Sequence, residues 1–118
     1  MANVFKVKTK QNIITSISGT GADIYTVPSS KTAIVLSISL ANTTGNSVTA
    51  SVQVSSDTSD TETNTDAYLV RNAPIPSGGT LEIMQGNKLV LQTTDKLYAI
   101  SNTSNAVDII ISLMEMDV

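Results

Sequence analysis

The sequence predicts an all-β protein built as an antiparallel β-sandwich. Two observations carry this prediction. Apolar and polar residues alternate along several segments, with the period of two that is typical of a strand with one buried face. Turn signals separate these segments at intervals of roughly ten residues, which is the spacing of sandwiches and barrels. No segment shows a helical period.

Composition limits the functions that the chain can have. At 118 residues it should form one domain. It has no cysteine and no histidine, which removes disulfides, thiolate ligands and the commonest general base at neutral pH. A net charge of −3 gives no reason to expect nucleic-acid binding. No apolar run approaches the ~20 residues of a membrane span, and the N-terminus lacks the apolar core of a signal peptide. We expect cytoplasmic synthesis and no cofactor.

Residues 1–22 are predicted to be an N-terminal arm or an edge strand, and residues 23–118 a single sandwich domain. Three of the seven basic residues, Lys6, Lys8 and Lys10, lie in the first ten positions. One interpretation is a surface strand with solvated lysines. The other is an arm that docks on a neighbouring subunit, since termini are poorly ordered unless something holds them.

The central stretch, Lys31–Val54, has the clearest alternation. Apolar residues fall on every second position on either side of a polar break, Asn42–Asn46, that contains a glycine. Two strands joined by a short loop of this kind predict a β-hairpin. The predicted core, here and further along, is Ile34, Leu36, Ile38, Leu40, Val52, Leu89, Leu97, Ile109 and Ile111. Val35 is the one residue that breaks the alternation of the first strand.

The segment Ser55–Asp66 contains no apolar residue and is predicted to be a mobile surface loop. Its oxygen-bearing side chains recur at every second position, as in the first half of a calcium-binding loop: Asp60, Glu62, Asn64 and Asp66. The pattern then departs from such a loop, because Thr65 stands where the sharp turn needs glycine and Arg71 where the bidentate glutamate belongs. A solvated loop is therefore expected, with calcium binding as the alternative.

The remaining strands bring the count to eight from Asp23 onward, the number in a jelly roll. Asn72–Gly79, with two prolines and two glycines, is predicted to be a rigid turn. The strands outside the central stretch are predicted at Asp23–Val27, Ala67–Arg71, Thr80–Met84, Lys88–Leu91, Leu97–Ser101 and Ala106–Met116. The fold prediction is thus an eight-stranded, jelly-roll-like sandwich with an N-terminal arm.

The last strand carries apolar residues on both faces, which indicates that both faces are covered. In a small sandwich the second cover is often a neighbouring subunit. We therefore predict an interface formed by Ile110, Met114 and Met116, to which the basic arm with Lys6, Lys8 and Lys10 contributes.

No catalytic constellation is found. Without histidine, a serine nucleophile would need a lysine base, and Lys31 follows Ser29 and Ser30 in a turn where such neighbours are routine. Four carboxylates are better interpreted as exterior or turn residues: Glu82, Asp95, Asp108 and Glu115. Tyr68 and Tyr98 are expected to be packing residues. We predict that the protein is not an enzyme.

Several short sequence segments resemble those of a known family, the small β-sandwich virion structural proteins of tailed bacteriophages, notably phages of marine bacteria and cyanobacteria. The similarity covers roughly residues 23–116. It is carried by residues 25–32 (YTVPSSKT), 39–44 (SLANTT), 69–79 (LVRNAPIPSGG) and 86–91 (GNKLVL), and by Asp108 with the strand that ends Met114-Glu115. The family offers no catalytic residues to carry over.

The resemblance implies a non-enzymatic structural protein, made in the host cytoplasm and incorporated into the virion. Capsid decoration or cement is the first expectation, with a neck or tail component close behind. Expected partners are other virion proteins and further copies of the chain in a homotrimer, with neither nucleic acid nor membrane. The alternative is a host-recognition module at a tail-fibre tip that binds glycans.

Overall fold

The computed structural model of the chain describes residues 3–56 and 64–117. Within these residues the chain forms strands and no helix, so the described part holds no helix able to cross a membrane. The strands are β1 (Asn3–Lys10), β2 (Asp23–Thr26), β3 (Lys31–Asn42), β4 (Val48–Ser55), β5 (Ala67–Ile75), β6 (Thr80–Glu82), β7 (Leu89–Leu91), β8 (Lys96–Ser101) and β9 (Val107–Asp117).

Two antiparallel sheets pack face to face, which confirms the predicted β-sandwich. The first sheet has the order β1-β9-β3-β6, with β7 also paired to β3. The second sheet has the order β2-β8-β4-β5. If β6 and β7 are counted as two parts of one strand, the orders become 1-8-3-6 and 2-7-4-5. Those orders are compatible with an eight-stranded, jelly-roll-like winding.

A β-bulge in β3 decides which of its side chains enter the core. Val35 pairs with Leu113 and Ser37 with Ser112, so Leu36 is an extra residue on β3. Before the bulge the buried positions are odd-numbered, as at Val35, and after it they are even-numbered, as at Ile38. An unbroken alternation cannot anticipate this change.

The core prediction is therefore confirmed in part. Six of its nine residues are buried: Ile38, Leu40, Val52, Leu97, Ile109 and Ile111. Ile34 and Leu36 are only half-buried, because the bulge turns Ile34 to the outer face of the first sheet and leaves Leu36 as the extra residue. Leu89 is also half-buried, and it packs against the core from its edge.

The predicted hairpin between β3 and β4 is wrong. The two strands belong to different sheets, so the chain crosses the core between them. The buried Asn42 holds this crossing. Its Nδ2 donates to the carbonyl oxygens of Asn46 at 2.7 Å and Ile75 at 3.0 Å, and its Oδ1 accepts from the backbone nitrogen of Thr44 at 2.9 Å. Each strand has one apolar face whether the two strands form a hairpin in one sheet or lie in two facing sheets. The alternation therefore could not distinguish the two arrangements.

The predicted rigid turn at Asn72–Gly79 is shorter than expected, because β5 continues to Ile75 and includes Pro74. Proline is tolerated there because β5 is an edge strand, where a missing N–H donor breaks no ladder. The register between β4 and β5 shifts beside Asn72, whose backbone has φ 53° and whose N–H donates to Ser51 Oγ at 2.9 Å.

The N-terminal segment belongs to the sandwich. β1 pairs with β9 over its whole length as an edge strand of the first sheet. After it, Ile13 is buried in the core, and its N–H donates to the Val107 carbonyl at 2.9 Å.

The middle of the predicted mobile loop, residues 57–63, lies outside the described residues, and so do Asp60 and Glu62 of the calcium alternative. At the described start of that loop, Ser56 Oγ donates to the buried Asp95 Oδ2 at 3.0 Å. The described ranges contain no group of three acidic, histidine or cysteine side chains placed to hold a metal ion.

Substitutions at Ile38 and Ile34 should differ sharply in cost. Ile38→Ala should lower the free energy of unfolding by about 2–5 kcal/mol, because a fully buried side chain leaves a cavity. Ile34→Ala should cost roughly 1 kcal/mol, since Ile34 lies half-exposed on the outer face.

Ile38→Asp should abolish folding, because an unpaired buried charge is very costly. Urea denaturation followed by circular dichroism measures all three, and equal costs for the two alanine variants would contradict the bulge.

Candidate interaction surface

An uninterrupted apolar row crosses the outer face of the first sheet. Phe5 on β1 pairs with Met114 on β9, Met114 pairs with Ile34 on β3, and Ile34 pairs with Val90 on β7. Directly paired residues of antiparallel strands lie on the same face. We call Phe5, Met114, Ile34 and Val90 the outer apolar row. Four strands at about 4.8 Å spacing make it roughly 14 Å wide.

The ends of the row are the parts most open to solvent. The exposed fraction is 73% for Phe5 and 60% for Val90, while Met114 and Ile34 are half-buried between them. Further apolar side chains flank the row on the same face: Val7, which pairs with Ser112, and Ile110, which pairs with Ser39. Large apolar side chains this exposed, and contiguous, are unusual on a monomer and are typical of interaction sites.

The outer face of the second sheet is polar by comparison. On β4 the outward positions are hydroxyl and amide side chains that alternate with the buried Val48, Ala50 and Val52. They are Thr49, Ser51, Gln53 and Ser55, of which Ser51 is itself buried. Gln53 pairs with Tyr68 on one side and Tyr98 on the other, so both tyrosines lie on this outer face and outside the core. The guanidinium of Arg71 lies 5.3 Å from the centre of the Tyr68 ring. The two faces of the sandwich are thus chemically unequal.

The six side chains of the predicted interface lie on opposite faces of the same sheet. Ile110, Met114 and Met116 are on the outer face, beside or within the outer apolar row. The three lysines point the other way, since their partners on β9 are the core residues Leu113, Ile111 and Ile109. These lysines are Lys6, Lys8 and Lys10. A single flat partner cannot contact both groups, so any interface divides into two parts.

The alternation did not reveal four residues of this surface, namely Phe5, Val7, Ile34 and Val90. A local signal exists for two of them. Ile34 lies within four consecutive apolar residues and Val90 within three, where a strict alternation would place polar residues. For Phe5 and Val7 the outward direction follows only from the pairing of β1 with β9, which no short-range pattern encodes.

A polar cluster joins the two sheets beneath β1. The Tyr25 hydroxyl, on β2, donates to Glu115 Oε2 on β9 at 2.6 Å. Lys6 Nζ, on β1, lies 2.9 Å from Glu115 Oε1. Glu115 is only 3% exposed, so both carboxylate oxygens are satisfied by these two neighbours and not by open water. The cluster therefore anchors the edge strand to both sheets.

The charges in this cluster are fixed at neutral pH. The hydrogen bond from Tyr25 holds the pKa of Glu115 below its ordinary value of 4.5, and Lys6 adds to this effect while burial opposes it. Burial raises the pKa of Tyr25 well above its ordinary value of 10.0, and the bond to the Glu115 carboxylate raises it further. Glu115 is thus an ionised acceptor and Tyr25 a neutral donor. Each group of the cluster contacts another, and together they hold β1 in place.

Tyr25→Phe should lower the free energy of unfolding by about 1–3 kcal/mol at neutral pH, because one oxygen of a buried carboxylate loses its donor. The lowered pKa of Glu115 means that its contribution is present above pH 4.5 and is lost as pH falls. The raised pKa of Tyr25 means that its contribution is present below pH 10.0 and is lost as pH rises.

The variant should therefore lack part of the alkaline loss of stability that the wild type shows. Urea denaturation at neutral and alkaline pH measures this, with Tyr98→Phe as the control on the outer face of the second sheet. The control removes one tyrosine hydroxyl outside the cluster, so the difference between the two variants isolates Tyr25. An equal alkaline loss in wild type and Tyr25→Phe would contradict the assigned role.

Comparisons with protein-family models, with curated proteins and with solved structures find no match for this chain.

Proposed function

We propose that the protein is a non-enzymatic structural component of a tailed-bacteriophage virion, first as a capsid decoration or cement protein, with a neck or tail component as the next choice. The observation that supports this proposal best is the outer apolar row, a contiguous apolar surface on one outer face of a sandwich whose other outer face carries hydroxyl, amide and tyrosine side chains. The family resemblance of residues 23–116 supplies the virion setting. The work of such a protein is association, which needs a surface and no reacting groups.

The row can supply a useful but limited part of the association energy. Burying one side chain of this size contributes roughly 1.5–3 kcal/mol, and Phe5 and Val90 are the members with most area left to bury. Association costs an estimated 4–15 kcal/mol in lost freedom before any surplus appears. One row is therefore too small for a tight isolated pair. Flanking contacts through Val7 and Ile110, repeated between several copies, would make up the difference.

A homotrimer fits this requirement. Three copies that turn the outer faces of their first sheets towards a common three-fold axis would bury each row against both neighbours. Closed symmetry also prevents the apolar face from recruiting copies without limit. The lysines of β1 point away from such an axis, which leaves them for a different contact.

The host-recognition alternative has one observation in its favour. Tyr98, Gln53 and Tyr68 form a row across the outer face of the second sheet, with Arg71 over the Tyr68 ring. Aromatic rings beside amide groups suit the flat faces of sugars. Copy number separates the two functions, because on the order of hundreds of copies per particle means decoration, whereas closed rings of few subunits mean neck, tail or fibre.

Replacing Phe5 and Val90 by Ser together should abolish self-association. These are the two most exposed members of the outer apolar row, so the double variant should keep the wild-type circular dichroism spectrum. We expect the wild type to sediment as a trimer at micromolar concentration and to decorate particles, and the double variant to sediment as a monomer and to decorate them poorly.

The matched control is Tyr68→Ser with Tyr98→Ser, which changes the outer face of the second sheet and should leave mass and occupancy unchanged. Ile110→Ser with Met114→Ser tests the part of the face that the last strand contributes. A monomeric wild type together with normal decoration by the Phe5/Val90 double variant would show that this face is not the interface.

A further inference from the structure

The outward edge of β1 is the least protected strand edge of the molecule. β1 pairs with β9 through eight consecutive residues with no register shift, and all eight are exposed. It contains no proline. Among the described residues no strand pairs with its other side. A row of free N–H and C=O groups about 26 Å long therefore runs along it.

The other three edges each carry a feature that discourages a further strand. On the far side of the first sheet, β6 and β7 have three residues each. In the second sheet, β2 has four residues with a register shift, and β5 contains Pro74 and two register shifts. β1 is not short, contains no proline and has no bulge. Its lysines are its one protective feature.

Two of those lysines, Lys6 and Lys8, line a groove that runs beside the edge. The groove has a volume of about 400 Å³ and is lined by residues of β1, β2 and β9, among them Lys6, Lys8, Asp23, Tyr25 and Glu115. We call it the edge groove. Lys6 forms an ion pair with Glu115. Within residues 3–56 and 64–117, no carboxylate lies within ion-pair distance of Lys8 or Lys10. Two positive charges on this side of β1, Lys8 in the groove and Lys10 beyond it, thus remain to be neutralised.

We propose that β1 accepts an extended segment of a partner protein by strand addition, and that this segment alternates acidic with apolar side chains. Residues opposite Lys8 and Lys10 would lie on the groove side, where carboxylates neutralise the lysines. The residues between them would lie on the outer face beside Phe5 and Val7, where apolar side chains extend the covered surface. Main-chain hydrogen bonds supply affinity and the alternating side chains supply selectivity.

A second copy of β1 does not fit this edge. Antiparallel pairing of two β1 strands about a two-fold axis perpendicular to the sheet keeps the lysine faces together and sets lysine opposite lysine. Like charges in directly opposed positions are destabilising. Charge complementarity therefore selects an acidic partner. The proposal does not depend on the function proposed above, because its affinity comes from the main-chain edge and the lysine face, and it touches the outer apolar row only at Phe5, the end of that row.

The probe is a capped peptide as long as β1 in which Glu and Val alternate, labelled for fluorescence anisotropy. It should bind the intact protein. Lowering the ionic strength from about 0.15 M to about 0.01 M should strengthen binding, because the Debye length grows from roughly 8 to 30 Å. Lys8→Ala with Lys10→Ala should weaken binding about tenfold, since two ion pairs are lost. Lys88→Ala with Arg71→Ala removes the same charge from β5 and from the residue before β7, neither of which contributes to the groove, and should change nothing.

Two further peptides separate strand addition from plain charge attraction. A Glu/Val peptide with N-methyl groups on alternate amides keeps its charge but cannot form the ladder, and it should not bind. A Lys/Val peptide should not bind either. Hydrogen exchange should show new protection at every second amide of β1, because the intervening amides are already bonded to β9.

The proposal is overturned if the N-methylated peptide binds as well as the parent, if the Lys/Val peptide binds equally, or if no peptide binds at millimolar concentration. It is also wrong about the occupant if peptide binding weakens as protein concentration rises, because a second copy would then be competing for the edge.

Discussion

The pairing of β3 with β9 is the constraint on which the rest of the molecule depends. The two strands run antiparallel over the whole of β3, and every other strand of the first sheet attaches to one of them. The inward residues of β9 alternate without a break from Val107 to Glu115. The residues of β3 do not, so β3 needs the bulge at Leu36 to keep both of its halves in phase with β9. Because of the bulge, Val35 packs in the core and Ile34 lies on the outer face. Ile34 there completes the outer apolar row.

A buried carboxylate in the same pairing explains why β1 is held in place. Glu115 continues the inward face of β9, where an apolar residue would be expected, and its charge has to be compensated within the protein. Tyr25 compensates it from the second sheet and Lys6 from β1. A leucine there would pack as well, but it would not select the strand that lies beside it. In the register observed, Lys6 is the lysine of β1 that forms the ion pair with Glu115.

The sequence predicted what depends on local pattern, and it did not predict what depends on pairing. Period-two alternation and turn residues identified the sandwich and most strand positions. They could not show that β3 and β4 lie in different sheets, because a hairpin and a crossing bury the same residues. They also grouped Lys6, Lys8 and Lys10 with Met114 as one interface. The register of β1 on β9 separates these side chains onto opposite faces, and register is set by contacts between residues about a hundred positions apart.

The edge of β1 and the outer apolar row adjoin at Phe5, which lies on the edge strand and ends the row, so occupancy of one should affect the other. A strand added beside β1 would place its apolar side chains next to Phe5 and lengthen the row by one position. A longer row buries more apolar area against a neighbouring copy, and the gain grows with that area. By thermodynamic reciprocity, association through the outer face must then strengthen strand addition by the same factor. A chain with both contacts would assemble most firmly where a partner segment and further copies are present together.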